Sequence, residues 1–256
     1  MNRLRREIWL SQQGNKISVE LKDNFHHFKL SLQHDDKTIR QVASESICTP
    51  WSTCSGAPQA LNKLQGLALD SDKILVINQD QCLHLMDLVL LAKMHYFSDA
   101  KSTHFEIDIL RGESKEDTFT AALTKNNVQL LSWSISTEHV LVDKQGLTIP
   151  RNYVGAISQE VFKQWATKNL ETDIAEVAVL LDRAIMVSDS LFVNWSNKKS
   201  SAELKVPHFC FTHNEARASK AFMTPEGFLK SSELLEFEVK SSSCCQLIDK
   251  PTGEID

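Results

Sequence analysis

The chain has no run of about 18 apolar residues, so no helix in it is expected to cross a membrane. It has no excess of positive charge either: 28 Lys and Arg stand against 33 Asp and Glu, a net charge of −5. Non-specific nucleic-acid binding needs clustered positive charge to displace counterions. The basic start Arg3, Arg5 and Arg6 is too short to supply it, and nucleic acid is not an expected partner. The opening MNRLRREIWLSQQGN contains no apolar core of about 7–15 residues, so no signal peptide is read there and a cytoplasmic location is expected. There thiols stay reduced, and the six cysteines, Cys48, Cys54, Cys82, Cys210, Cys244 and Cys245, are expected as free thiols or ligands.

Several catalytic signatures are missing as well. There is no GxGxxG, no GxxxxGK[ST], no HExxH and no GxSxG, which leaves dinucleotide, P-loop, zincin and α/β-hydrolase readings unsupported. No paired Cys-x-x-Cys at zinc spacing occurs.

What is present suits a soluble globular protein: 256 residues, 42% hydrophobic and 24% charged, enough for one large domain or two small ones. From Glu7 to Ser46 short runs such as ISVEL and HHFKLSL read as strands separated by Gln13-Gly14-Asn15, Lys22-Asp23-Asn24 and His34-Asp35-Asp36-Lys37, all turn chemistry. Phe28, Leu30 and Leu32 alternate with Lys29, Ser31 and Gln33, as in an antiparallel meander with one wet face. A helical pattern follows at Ala57–Leu64, stopped by Gly66. After a loop at Asp70–Ile77, Asp80 is the expected N-cap of an apolar helix over Leu83–Met94, with Leu85, Leu88, Leu91 and Ala92 as its core stripe.

The order then repeats. Phe105–Leu110, Phe119–Leu123 and Val128–Ile135 read as strands, with a turn at Lys125-Asn126-Asn127; Ser158–Thr167 and Asp173–Val187 read as helices. A shift of 91 residues lays FKLSLQHDDKTIRQV on FTAALTKNNVQLLSW and Cys82–Phe97 on Asp173–Ser188, which points to an internal duplication. The expected fold is therefore α+β: a first meander-and-helix unit over 1–100, a second, degenerate unit over 101–194, a C-terminal segment over 195–240, and a Ser-rich tail over 241–256 expected to be disordered. A short helix is expected over Glu215–Phe222.

The chemistry gathers at the two helix starts of the first unit. Cys54 precedes one helical pattern and Cys82 opens the other, with His84 and Asp87 within a turn of it. A Cys-x-His pair in an open first turn can aim thiolate and imidazole at one metal, and the helix N-terminus favours the thiolate. Asp87, three residues past His84, can orient its ring or ligate directly. The proposed metal set is Cys54, Cys82, His84 and His26, with His27 or Cys210 as other fourth ligands; zinc and iron are both open. The rival reading is core packing, since cysteine is often a small buried hydrophobe. Glu171, Asp173 and Glu176 crowd one helix start as dipole partners. Trp133, Trp165 and Trp195 are spaced as core residues, and His208 and His213 flank Cys210 in an apolar context.

These residues resemble a bacterial family, domain of unknown function 2889. The likeness lies in Pro50, Thr53, Cys54, Gly56 and Ala57, then Cys82, His84, Leu85, Asp87 and Leu88, and extends through Asp173–Ala184 and CFTHNEARASKA. It implies no activity, but it picks out the same cluster. A fainter resemblance is to the iron–sulfur scaffold proteins of the NifU and IscU type, where a meander precedes one cysteine before a helix and a last cysteine opens a long helix. That likeness implies a metal or cluster site at Cys54 and Cys82, with Asp23 or His26 in place of the early cysteine. Three functions follow as expectations: metal binding or scaffolding; an enzyme using a metal, or Cys82 with His84 or a base at Asp87 or His26, on a small-molecule ligand; and a structural protein with core cysteines.

Overall fold

The computed structural model describes residues 2–71, 73, 80–142, 146–155, 159–204 and 210–224. Within them nine strands form one antiparallel sheet: β1 (Asn2–Gln13), β2 (Lys16–Lys22), β3 (His27–Asp35), β4 (Thr38–Cys48), β5 (Ser102–Arg111), β6 (Phe119–Lys125), β7 (Val128–Ile135), β8 (His139–Leu141) and β9 (Thr148–Pro150). Their order across the sheet is β4-β3-β2-β1-β5-β6-β7-β8-β9. Alternation sets which face is buried. Phe28, Leu30 and Leu32 of β3 point into the core, while Lys29 and Gln33 are exposed. The β6–β7 turn places Asn126 and Asn127 at φ 49° and 65°, the left-handed pair that asparagine tolerates in a two-residue hairpin.

The seam between the halves is the β1–β5 ladder, which runs from Asn2 opposite Arg111 to Ser11 opposite Ser102. The stretches 1–100 and 101–194 thus share one sheet. Counted from that seam, β2 corresponds to β6 and β3 to β7, whereas the 91-residue shift lays β3 on β6 and β4 on β7.

Helix α1 (Leu83–Tyr96) packs on β1, β2 and β3, and α3 (Thr172–Ser188) packs on β1, β5 and β6; α2 (Gln159–Asn169) lies against α3. The expected stripe Leu85, Leu88, Leu91 and Ala92 is buried, and α1 buries residues on most of its sides. On β1 the core-facing residues are Leu4, Arg6, Ile8 and Leu10. An arginine in phase with three aliphatics, under the two central helices, positions the site.

Four expectations change. The pattern at Ala57–Leu64 is part of a 3-10 helix over Ser52–Leu64, so Cys54 lies inside the element and not before it. Pro58, inside it, has no N–H to offer an α-helical ladder. The N-cap position of α1 is Cys82, and Asp80 instead pairs with Arg217 at 3.2 Å. The short helix α4 covers Glu215–Ala218 and stops before Phe222. Strands β8 and β9 were not anticipated; three residues each is too short for alternation to register. Trp133 is buried as expected, while Trp165 and Trp195 are half-buried against the core. Most of the Asp70–Ile77 loop, His208, Cys244, Cys245 and the tail lie outside the described residues. Among the described residues no helix is long and apolar enough to cross a membrane.

Candidate functional site

The site begins with Arg6. Its alternation partners Leu4 and Ile8 force its side chain into the core, where its Nε and Nη2 donate to Asp23 Oδ2 at 2.9 and 2.6 Å. Asp23 closes the β2–β3 connection. Its other oxygen, Oδ1, accepts from the amides of Phe25 and His26, both at 2.8 Å, and faces His26 Nδ1 at 3.1 Å. One carboxylate therefore fixes the turn, the arginine and the histidine ring together. Burial alone would raise its pKa, but the His26 and Arg6 charges outweigh that and hold it well below the usual carboxylate range.

His84, in the first turn of α1, stacks on this assembly. Its ring centroid lies 4.0 Å from that of His26, with the planes tilted by 47°, and 5.9 Å from that of Phe28. Its Nδ1 is buried and has no hydrogen-bond partner among the described residues. Burial first, then the positive neighbours His26 and Arg6, push its pKa well below 6.5, so the ring is neutral with a nitrogen lone pair to give.

Asp87 does not orient His84. Its carboxylate forms a buried ion pair with Arg183 of α3, joining the two central helices. Burial, then the nearby Arg6, pull Arg183 down to about 10. His27 is also accounted for, by Glu20 Oε1 at 2.6 Å.

The thiols depart from expectation. Cys54 and Cys82 are both buried free thiols. Burial pushes Cys54 up to about 12, with the Cys210 thiol adding to it, although the Thr212 hydroxyl lies 3.1 Å from its sulfur. Burial likewise raises Cys82, with Cys210 contributing, and the amides of Leu85 and His84 only partly oppose this. The expected thiolate-favouring effect of the helix start is real but smaller than the desolvation. His213, edge-on to Trp51, is lowered to about 4 by burial.

The structure thus brings His26 and His84 together, while Cys54 and Cys82 each feel the Cys210 thiol electrostatically. It does not bring Cys54, Cys82, His84 and His26 to one point: among the described residues no three His, Cys, Asp or Glu side chains converge to hold a metal ion. In the sequence Arg6 stands only as part of a short basic start, Arg183 is not singled out, and Asp23 reads as turn chemistry and as a stand-in ligand. The signal for Arg6 was its place among Leu4, Ile8 and Leu10; for Arg183, its place among Val179, Leu180 and Ala184 on a buried helix. No family model matches the chain, and no curated protein matches it. Fold and site together define an α+β protein with a buried Arg–Asp–His–His cluster on the inner face of one continuous sheet.

Proposed function

We propose that the protein is a metal-binding α+β protein whose site is built on His26 and His84, with zinc or iron as the metal. The observation that carries this reading is the 4.0 Å approach of the two rings. Asp23 engages His26 Nδ1, as carboxylates do behind metal-bound histidines, which frees Nε2 as a donor. The neutral His84 ring with its unpartnered Nδ1 supplies the second donor. Cys82, two residues before His84, is the thiol closest in sequence to this pair, but its side chain does not converge with the two rings. Cys54 belongs on this reading to the surrounding packing.

The setting we infer is cytoplasmic, in keeping with the free thiols. The meander-plus-buried-helix plan of both units supports reading them as a duplicated pair, the first comparable with the NifU and IscU type. The Cys82-x-His84 and Thr53-Cys54 segments support membership of the family known as domain of unknown function 2889.

Elemental analysis of anaerobically purified protein tests the metal. Near-stoichiometric zinc or iron is expected in wild type and in Cys54→Ala, and its loss in His26→Ala and His84→Ala. A wild type that neither carries nor takes up zinc or iron overturns the reading. The Asp23–His26 contact also favours a second reading, a small-molecule enzyme with His26 as general base. That version predicts turnover that survives chelators and disappears in His26→Ala.

A further inference from the structure

We propose that Cys54 and Cys210 form a redox-sensitive pair: a hydroperoxide oxidises Cys210, and Cys54 then closes a disulfide with it. The pair does not depend on the metal-binding reading above. Cys48, Cys54, Cys82 and Cys210 are all free thiols. What sets Cys54 and Cys210 apart is that one buried residue, Thr212, touches both sulfurs. Its hydroxyl lies 3.1 Å from Cys54 Sγ, and its backbone amide donates to the Cys210 sulfur. Thr212 is fully enclosed, and Thr53 Oγ1 holds its hydroxyl from the other side at 3.0 Å. The Phe211 ring lies on Gly56, where a Cβ would stand 3.3 Å from it. Thr53, Cys54 and Gly56 all belong to the start of the 3-10 helix, so residues 211–212 lie along that turn. The Cys82 sulfur, at the start of α1, accepts instead from the amides of Leu85 and His84.

The surroundings divide the roles. Cys54 is buried, whereas Cys210 is half-buried and is the thiol that a small oxidant meets first. The amides of Thr212 and His213 both donate to the Cys210 sulfur, and the Arg217 guanidinium adds positive charge beside it. Arg217 is fixed there: it stacks on Phe211 at 3.9 Å, donates to Phe211 O at 2.6 Å and reaches Asp80 Oδ1 at 3.2 Å. Burial still raises the Cys210 pKa, so these groups moderate the cost of the thiolate without removing it. The reaction is therefore slow but selective. The Cys210 thiolate attacks one oxygen of hydrogen peroxide, the O–O bond breaks, and the departing hydroxide takes up the proton that the thiol released. Cys210 is then a sulfenic acid. The Cys54 sulfur attacks the Cys210 sulfur, the S–O bond breaks, and the leaving hydroxide takes the Cys54 proton. Two thiols and one peroxide thus become one disulfide and two waters. Disulfides that form in a reducing compartment are usually transient and redox-sensing.

Hydrogen peroxide added to the reduced, full-length native protein, freed of reductant, tests the pair. Remaining thiols are blocked with iodoacetamide, and the peptides are mapped by mass spectrometry without reduction. A cross-linked peptide joining Cys54 to Cys210 is expected, and dithiothreitol should remove it. In Cys54→Ser the Cys210 sulfenic acid has lost its partner and should be trapped by dimedone. Arg217→Ala should slow the loss of the free Cys210 thiol about tenfold. A folded wild type in which Cys54 and Cys210 both stay free under peroxide overturns the proposal. So does a link from Cys210 to Cys82, or a Cys54–Cys210 link that forms only in urea. An unchanged rate in Arg217→Ala overturns the assignment of Cys210 as the attacking thiol.

Discussion

Arg183 on α3 and Asp87 on α1 form an ion pair that both side chains make in near-complete burial, at 8% and 1% exposure. It spans the two central helices and therefore the two halves of the chain. Its desolvation is costly, so the pair is worth most as a device that fixes how the helices sit against each other. Asp87→Ala leaves a buried guanidinium uncompensated and is expected to cost about 3–5 kcal/mol in urea unfolding. The double variant Asp87→Leu with Arg183→Met should recover most of that loss. Single-variant effects within ~0.5 kcal/mol would show the pair to be solvated.

The Arg6–Asp23 pair behaves differently under acid. Asp23 has a folded pKa held far below its ordinary 3.8, so it contributes stability that is fully present above that value and is lost as pH falls below it. Asp23→Asn should therefore destabilise the protein by a few kcal/mol, about 2–4, at pH 7, and the difference from wild type should narrow steadily towards pH 3. A gap independent of pH would mean that the carboxylate acts through packing alone. The same variant also tests the turn, because Asn keeps an oxygen for the Phe25 and His26 amides.

How much of this was legible in the residues depends on length and on partners. The wet and dry faces of β3 could be read because nine residues alternate cleanly, and α1 and α3 because their apolar content runs for several turns. The β6–β7 hairpin announced itself through Asn126-Asn127. The strands β8 and β9 were too short to read, and the 3-10 helix at Ser52–Leu64 carries buried residues at spacings that also suit an α-helix. At the site, Cys82 and His84 stood out by type and spacing, but their partners did not. Arg6 on β1, Asp23 in the β2–β3 turn and Arg183 on α3 lie far apart in sequence, and only the folded sheet with its two helices brings them to α1 and its neighbours. Local sequence could propose that His84 meets Asp87, since they lie three apart on one helix; it could not see that Arg183 would claim the carboxylate.

Asp182 supplies a second, opposite pH dependence. Its Oδ1 accepts from the Gly155 amide at 2.5 Å, and burial pushes its pKa up to about 7, with the amide and Arg151 only partly offsetting it. Between the ordinary 3.8 and about 7 the folded state holds a proton that the unfolded chain has released. Stability from this group is thus present below the lower value and is lost as pH rises through the upper one. Asp182→Asn keeps an acceptor for Gly155 and cannot ionise. It should be more stable than wild type at pH 8 and no more stable at pH 4, measured by urea midpoints. Equal midpoints across that range would place the folded pKa near its ordinary value.

His84 titrates with the reverse sign, which makes the two separable. Its folded pKa lies well below 6.5, so the unfolded chain binds the extra proton first as pH falls. The stability conferred by keeping the ring neutral is complete above 6.5 and declines as pH drops through and below that value. His84→Gln removes this decline, so its stability should change less than that of wild type between pH 7.5 and 5. In an Asp182→Asn background the opposing dependence is gone, and because His213 is also lowered by burial and declines with the same sign, the His84 share is the difference that His84→Gln makes in that background. Metal at the His26–His84 site would steepen it: protons compete with the metal for the His84 ring once the pH is well below 6.5, so zinc affinity should fall from pH 6.5 downwards. Calorimetric titration of zinc across that range is the direct measurement. An affinity that does not change with pH would mean that the neutral imidazoles are not the donors.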